Sequence, residues 1–317
     1  MSQGSEDQNL AIEALFLKGI NMSRDGRFAD AIAFYDQVLA IQPNDYQAWY
    51  NRASALFSLQ DYEGAVASYD KALTIYPDSP EAWYNRGSVL LNCNRLEEAI
   101  DSYEHATDLR SDYYQAWYSR ASTFLKLLRY AEALESCLRT IEIQPDYHPA
   151  WYGKGVSLFG LRRHKEAVEA FDRALELNPR RDKAWFHRGL AQMGLGQYTQ
   201  AVSSFEKALE IDPDKRDVWY HQGLALYHMD RLDEAIASYE EALSMLPKNG
   251  TLYYNIACCY SLQREAMAAI ANLQHAIELN PRQFKEMAAS DPDFDYISHR
   301  AEFKDLIDLD LDHEEYV

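Results

Sequence analysis

The sequence is poor in the residues that mark secreted, membrane-spanning and nucleic-acid-binding proteins. Its 317 residues include four cysteines, Cys93, Cys137, Cys258 and Cys259, which are too few for a disulfide framework and lack the spacing of a metal site. No run approaches the ~18 apolar residues of a transmembrane helix. Lysine and arginine number only 31 against 50 acidic residues, for a net charge of -19. This balance argues against a nucleic-acid partner, because binding to phosphates requires basic side chains that replace counterions.

The signatures of catalysis and of cofactor binding are also missing. There is no Gly-rich phosphate loop, no G-x-S-x-G and no H-E-x-x-H. Asp308, Asp310 and Asp312 alternate as in a calcium loop but lack its glycine and its closing glutamate. We therefore expect no enzymatic activity, no cofactor and no metal centre. Because Met1 to Asn9 are polar and acidic, unlike a secretory signal, we expect a cytoplasmic location.

What the sequence does contain is one recurring stretch, EAWYNRG at residues 81–87. Close copies carry all six tryptophans of the protein at intervals of 34 residues: Trp49, Trp83, Trp117, Trp151, Trp185 and Trp219. Such a period indicates one structural unit copied along the chain. Eight repeats, numbered 1 to 8, cover 272 of the 317 residues without an insertion: 12–45, 46–79, 80–113, 114–147, 148–181, 182–215, 216–249 and 250–283.

The residue pattern within a repeat predicts two helices. If the tryptophan is position 4 of each repeat, position 8 is always glycine or alanine and position 20 is always alanine. Positions 4, 8 and 11 lie on one helical stripe, and positions 20, 24 and 27 lie on another. Small residues at 8 and 20 allow the two backbones to approach, with larger side chains at 4 and 24 on either side. Position 32, proline in all but one repeat, ends the second helix.

This pattern resembles the tetratricopeptide repeat, whose signature contains W-x2-L-G-x2-Y, then A-x3-F, then P. The resemblance implies an all-α fold, a right-handed α-solenoid superhelix of antiparallel helix pairs with a concave inner groove. The sequence departs from the signature at position 7, where Arg or Lys usually replaces Leu. Leu15 and Tyr253 replace the tryptophan in the first and last repeats, as expected of terminal repeats with different neighbours.

The segments outside the repeats differ in character. Residues 1–11 are expected to form a disordered leader. Residues 284–307 are expected to form a C-terminal helical cap, in which Asp291 is an N-cap, Pro292 occupies the first turn and Phe303 begins an apolar stripe with Leu306 and Ile307. Residues 308–317 are expected to form an acidic, disordered tail.

Acidic residues at position 25 recur together with the basic residues at position 7. This pairing predicts a structural ladder of ion pairs, either between the two helices of one repeat or between neighbouring repeats. Exposed ion pairs contribute about 0–1 kcal/mol each, so the ladder is expected to adjust register more than stability.

Position 5 is aromatic in all eight repeats and lies about 100° around the helix from the tryptophan. The resemblance places positions 2, 5, 6, 9, 12 and 13 on the concave face, where an asparagine at position 6 often holds the backbone of a peptide. The formal charges at these positions sum to zero. The predicted peptide-binding residues are Tyr50, Asn51, Phe57, Tyr84, Asn85, Leu91, Tyr118, Leu125, Tyr152, Phe159, Phe186, Met193, Tyr220, Tyr227, Tyr254 and Asn255.

We interpret this surface as a binding groove, because large apolar patches on the surface of a protein usually have a use. The position-5 rings are then not needed for packing between the paired helices. The alternative interpretation is that these rings pack between adjacent repeats. The carboxylate clamp for chaperone C-terminal peptides requires lysine at position 5, so such a peptide is not the expected ligand.

The sequence therefore predicts an interaction scaffold that binds a peptide or a helical segment of one or more partner proteins. Two alternatives are a self-assembling structural array and a regulatory subunit of a partner enzyme. A minor hypothesis is a zinc site formed by His187, His221 and His228 with Asp217, although dedicated ligand spacing is absent. The alternative for these histidines is a polar lining of the groove with weak pH sensitivity.

Overall fold

A computed structural model describes residues 3–308, and every regular element in that range is helical. The described helices fall into two compact bodies, an N-terminal body that ends at Leu161 and a C-terminal body that begins at Arg162. The N-terminal body contains α1 (Gln3–Arg24), α2 (Phe28–Ile41), α3 (Tyr46–Ser58), α4 (Tyr62–Ile75), α5 (Pro80–Asn92), α6 (Leu96–Leu109), α7 (Tyr114–Lys126), α8 (Tyr130–Ile143) and α9 (His148–Gly160).

The C-terminal body contains α10 (His164–Leu177), α11 (Asp182–Gly194), α12 (Tyr198–Ile211), α13 (Arg216–Tyr227), α14 (Leu232–Met245), α15 (Gly250–Leu262), α16 (Ala266–Leu279), α17 (Pro281–Ala288), a 3₁₀ helix (Pro292–Phe294) and α18 (Ala301–Ile307). Within each body, consecutive helices pack as antiparallel pairs, and each second helix also contacts the first helix of the next repeat. This is the all-α array expected from the repeat pattern. None of the described helices has the length and apolar character needed to cross a membrane.

A close approach of the paired helices forms the core of each repeat. The residue at position 24 is at most 2% exposed in every repeat, and it is large in all repeats except the fourth. The eight residues are Tyr35, Tyr69, Tyr103, Cys137, Phe171, Phe205, Tyr239 and Leu273. Tyr103 lies so near the backbone of the partner helix that a Cβ added at Gly87 would be 2.7 Å from its ring. Gly189 and Phe205 repeat this arrangement at 2.5 Å. The small residue at position 8 therefore makes room for the large one at position 24.

The tryptophans link neighbouring repeats through their indole nitrogens. Trp83 Nε1 donates to the carbonyl oxygen of Pro77, position 32 of the preceding repeat, over 2.8 Å. The other five tryptophans make the same hydrogen bond to position 32 of the preceding repeat, over 2.7–3.0 Å. The position-4 ring thus combines apolar contact with a directed bond between successive repeats, a link that the apolar stripe alone did not indicate.

The ion-pair ladder joins neighbouring repeats. Arg86 Nε donates to Asp70 Oδ1 of the preceding repeat over 2.7 Å, and Arg86 Nη1 donates to Ser102 Oγ of its own repeat over 2.7 Å. The guanidinium also lies 5.8 Å from the centre of the Trp83 ring. The same ladder contact forms between Arg52 and Asp36, Arg120 and Glu104, and Arg188 and Asp172.

The prediction of a disordered leader is wrong for the described part of that segment. Helix α1 begins at Gln3, so residues 3–11 continue the first helix of repeat 1. Ile12 is 7% exposed and packs with Val38 and Leu39, which anchors this end of the helix. Once such an anchored turn exists, each further residue adds a backbone hydrogen bond without a new nucleation cost.

The C-terminal cap forms from residues close to those predicted, although α17 begins at Pro281, inside the last repeat. Asp291 caps the 3₁₀ helix by accepting a hydrogen bond from the backbone nitrogen of Asp293 over 3.0 Å. Phe284, Phe294 and Phe303 are at most 3% exposed and pack against the last helix pair, with Leu306 and Ile307 at the edge of this cluster. Of the predicted tail, residues 309–317 lie outside the described residues.

Deletion of residues 284–317 is expected to lower the melting temperature clearly or to cause aggregation. The deletion removes Phe284, Phe294 and Phe303 and exposes apolar surface on α15 and α16, and a repeat array depends on such neighbour interfaces. Thermal unfolding followed by circular dichroism measures the change. Deletion of residues 309–317 is the control and should have little effect. Equal melting of the longer truncation and the full chain would contradict the role of the cap.

Arg86→Ala is expected to lower the melting temperature more than Asp70→Asn. The asparagine variant removes only an exposed ion pair, worth about 0–1 kcal/mol. The alanine variant also removes the bond to Ser102 and the cover over Trp83. Thermal unfolding of both variants tests this order, and equal shifts would show that the ion pair is the whole contribution of Arg86.

Candidate functional site

The residues predicted to bind a peptide all lie on the first helices of their repeats. In the N-terminal body these first helices contact one another in sequence, α1 with α3, α3 with α5, α5 with α7 and α7 with α9. In the C-terminal body α11 contacts α13 in the same way. The predicted residues are therefore brought together in two rows, one on the first helices of each body.

The rings at position 5 are half-buried in seven repeats, from Phe16 to Tyr220. Five of these rings pack against the position-24 ring of their own repeat. The ring centres of Tyr84 and Tyr103, for example, lie 5.9 Å apart. The other pairs are Phe16–Tyr35, Tyr50–Tyr69, Phe186–Phe205 and Tyr220–Tyr239. The expectation that position 5 takes no part in the packing of the paired helices is therefore wrong. One side of each ring belongs to the core, and part of it reaches solvent.

Two of the three asparagines at position 6, Asn51 and Asn85, already have partners. Asn85 Nδ2 donates to the hydroxyl oxygen of Tyr50 in the preceding repeat over 2.7 Å. Asn51 Nδ2 donates to the backbone carbonyl of Gln47 over 2.7 Å. A peptide backbone would have to compete with these bonds, and the Asn85 bond fixes the hydroxyl of Tyr50 on the same surface.

The side chains at position 12 extend the row beyond the rings. Phe57 is 37% exposed, and its ring centre lies 5.8 Å from that of Tyr62. The other position-12 residues predicted to bind are half-buried: Leu91, Leu125, Phe159, Met193 and Tyr227. These side chains are more exposed than the fully buried position-24 residues, so a ligand could reach them on the first helices.

The C-terminal cap covers the last two aromatic residues of the predicted groove. Tyr254 is 3% exposed, and its hydroxyl donates to Asp291 Oδ2 over 2.6 Å. The Tyr227 hydroxyl donates to a carboxylate oxygen of Asp293. Burial, together with the bonded carboxylates, raises the pKa of both phenols. Tyr254 is therefore not an open groove residue as predicted, because the cap folds back onto it.

The histidines do not form a zinc site. His187 Nδ1 bonds the carbonyl of Lys183 over 2.8 Å, and His221 Nδ1 bonds the carbonyl of Asp217 over 2.7 Å. The Phe186 ring lies 5.3 Å from the His187 ring and 5.4 Å from the His221 ring, and His228 stacks on Tyr198 instead. Burial lowers the pKa of His187.

Within residues 3–308, the side chains with metal-ligating atoms that do meet are Cys258, Asp291 and Asp293. Their ligand atoms all lie within 4.8 Å of one another beneath the cap. The sequence pattern does not reveal this group, because Cys258 is separated from the two aspartates by more than 30 positions. The available signal was position 9 of the last repeat, where Cys258 lies on the predicted groove face and Asp291 is a predicted N-cap within the cap that follows.

Family models described as Tetratricopeptide repeat match most of the chain. One matches residues 17–80, 144–182, 152–215 and 186–250, a second matches 68–101, and a third matches 114–147 and 250–283. No curated protein matches the sequence significantly.

Several solved structures are similar to this chain. The C-terminal part of a TPR repeat-containing protein from Cytophaga hutchinsonii has a TM-score of 0.65 at 18% identity, covering 76% of this chain and 99% of its own. A tetratricopeptide repeat protein from Parabacteroides merdae has a TM-score of 0.57 at 17% identity, covering 78% and 98%. YrrB, described as a TPR protein with an unusual peptide-binding site, has a TM-score of 0.52 at 24% identity, covering 58% and 94%. At these identities the likeness shows the fold alone.

Tyr84→Ala is expected to destabilise the protein, because the ring packs on Tyr103. A fully buried aromatic ring costs about 3–5 kcal/mol when truncated, so this half-buried ring should cost roughly half of that. Tyr84→Phe keeps the ring and is the matched control, which should melt close to the wild type. Thermal unfolding of both variants tests this. Full stability of the alanine variant would show that the ring contact contributes nothing.

Proposed function

We propose that this chain, which belongs to the tetratricopeptide repeat family, is an interaction scaffold without catalytic activity. It binds an extended or helical segment of a partner protein along the first helices of its repeats. One similar structure, YrrB, is described as having an unusual peptide-binding site, and a peptide is also the class of ligand that we propose here.

The observation that carries this proposal is the difference between two sets of large side chains. Those at position 24 are at most 2% exposed, whereas those at positions 5 and 12 of the N-terminal body stay partly open to solvent. Tyr50, Tyr84, Tyr118 and Tyr152 recur at a fixed interval, with Phe57, Leu91 and Leu125 beside them. Surface aromatic residues held at regular spacing are typical anchors for a partner, because few of their degrees of freedom are lost on binding.

The packing of these rings suits them to this role. Because the inner side of Tyr84 rests on Tyr103, and Tyr113 lies 5.1 Å from it on another side, its orientation is set before a ligand arrives. Asn85 fixes Tyr50 in a similar way. Such preorganisation lowers the entropic cost of binding.

The energy available to a ligand is moderate. Covering ~100 Å² of apolar surface at each anchor contributes about 2.5 kcal/mol at 25 cal/mol per Å². Three or four anchors together supply about 7.5–10 kcal/mol. An association cost of at least about 4 kcal/mol leaves a net of at most ~6 kcal/mol, which corresponds to a Kd of tens of micromolar or weaker. A segment that contacts several repeats is therefore the expected ligand, and one that contacts a single repeat would bind too weakly.

The triple variant Phe57→Ala, Leu91→Ala and Leu125→Ala is expected to reduce capture of the partner at least tenfold while the protein stays folded. These three residues lie on the first helices of the N-terminal body and leave the position-5 rings in place. The tagged full chain and the variant are used as baits in a lysate of the source organism, with mass spectrometry of the captured proteins. Circular dichroism confirms the helical content of each bait.

The matched control replaces three exposed apolar residues on second helices of the same body, Ile41→Ala, Leu109→Ala and Leu138→Ala. It removes a similar amount of apolar surface from outside the proposed groove and should capture the partner as the wild type does. If the control loses the partner and the groove variant retains it, the binding surface lies on the second helices. A bait that captures only copies of itself would favour the self-assembling array.

A further inference from the structure

One cavity lies where the C-terminal cap meets the last two repeats, within the C-terminal body. It has a volume of about 140 Å³ and opens toward solvent. Its polar lining consists of the carboxylates of Asp291 and Asp293, the phenols of Tyr227 and Tyr254, the amide of Asn255 and the thiol of Cys258. Of these, Tyr227, Tyr254 and Asn255 are residues of the predicted groove, so the cavity lies at the end of the row on the first helices of the C-terminal body.

The two carboxylates have hydrogen-bond donors but no positive partner within residues 3–308. Asp291 accepts from the Tyr254 hydroxyl over 2.6 Å and from its own loop at the backbone nitrogen of Asp293 over 3.0 Å. Asp293 accepts from the Tyr227 hydroxyl. The Cys258 sulfur lies 3.9 Å from Asp291 Oδ2. Two carboxylates in one partly buried site repel each other, and a cation between them removes that repulsion.

The spacing of these groups suits an ammonium group better than a metal ion. The ligand atoms lie within 4.8 Å of one another. An ammonium nitrogen lies about 2.8 Å from each oxygen that it bonds, so it bridges oxygens up to roughly 5.6 Å apart without any movement of the protein. Zinc holds its ligands at about 2.0–2.3 Å, which requires a tighter cluster.

The remaining walls fit the rest of a basic side chain. The Tyr227, Tyr239 and Tyr254 rings line the cavity together with Leu224. Aromatic rings attract cations through their faces and also cover the methylene groups of a lysine stem. A volume of about 140 Å³ exceeds what a single ion needs and accommodates an alkylammonium chain.

We propose that this cavity receives a lysine-like ammonium side chain of the partner segment, held between Asp291 and Asp293 and enclosed by the tyrosines. The inference rests on the proposed function, because Tyr227, Tyr254 and Asn255 of the cavity belong to the row on the first helices of the C-terminal body, which is part of the proposed binding surface. It adds a chemical requirement to the partner, a basic residue at the end that reaches repeats 7 and 8. The net charge of -19 favours the approach of such a segment.

The test uses the full chain labelled with ¹⁵N and two small probes of equal length, n-butylammonium chloride and n-butanol. Titration with the ammonium should shift the amide signals of Asn255, Cys258, Asp291 and Asp293 in a saturable way at millimolar concentrations. Butanol should leave these signals in place. The double variant Asp291→Asn and Asp293→Asn keeps oxygen acceptors for the tyrosines, and it should weaken ammonium binding at least tenfold with unchanged signals elsewhere.

Three results would overturn the inference. The first is an equal response to butanol, which would mark the cavity as merely apolar. The second is no response of the wild type to either probe, which would show that the two carboxylates have only a structural role. The third is a saturable response to Zn²⁺ that Cys258→Ser abolishes, without any response to ammonium. Because these probes do not involve the N-terminal body, failure here leaves the partner-capture experiment unaffected.

Discussion

The fit of a large side chain at position 24 against small residues at positions 8 and 20 sets the distance between paired helices. Tyr103 lies against Gly87 at a spacing that leaves no room for a Cβ, while the alanine at position 20 is fully buried beside it. With the two backbones this close, a helix pair presents one apolar edge that it cannot bury alone. The next repeat covers that edge, and stability is therefore shared between neighbours along each body.

Directed polar contacts then fix how one repeat meets the next. The Trp83 indole donates to the carbonyl of Pro77 in the preceding repeat. Arg86 bonds both Asp70 of the preceding repeat and Ser102 of its own repeat. Apolar packing alone tolerates small rotations between helices, whereas a hydrogen bond tolerates little. Both contacts recur where Arg52, Arg120 and Arg188 meet the preceding repeat, and they favour the same register at those junctions.

The aromatic residues of this protein serve two purposes at once. The inner layer at position 24 is core, and the layer at position 5 rests on it while part of each ring reaches solvent. A surface built this way is rigid, which favours binding, but its rings cannot be removed without a cost in stability. The more exposed side chains at position 12, such as Phe57, are less bound to the core and offer a way to separate the two effects.

The cap changes the chemistry at one end of the array. The last repeat has no following repeat within the described residues to cover its apolar face, and Phe284, Phe294 and Phe303 of the cap pack against that face. The same loop carries Asp291 and Asp293 onto Tyr254 and Tyr227. In the C-terminal body, the row on the first helices thus ends beside two carboxylates, which distinguishes the two ends of that row for any ligand with a charged end.

The sequence by itself determined the period, the two helices of each repeat, the small-to-large fit of positions 8 and 24, and the apolar residues of the cap. These properties depend on helical periodicity, which assigns each residue to one side of its own helix. Only the tertiary structure decided that the ladder joins neighbouring repeats, that Asn85 bonds Tyr50, that α1 extends to Gln3 and that His228 lies apart from the other histidines. It alone brought Cys258 to Asp291 and Asp293. Such contacts depend on the rotation and separation of helices that are distant in sequence, and a pattern within one helix does not encode them.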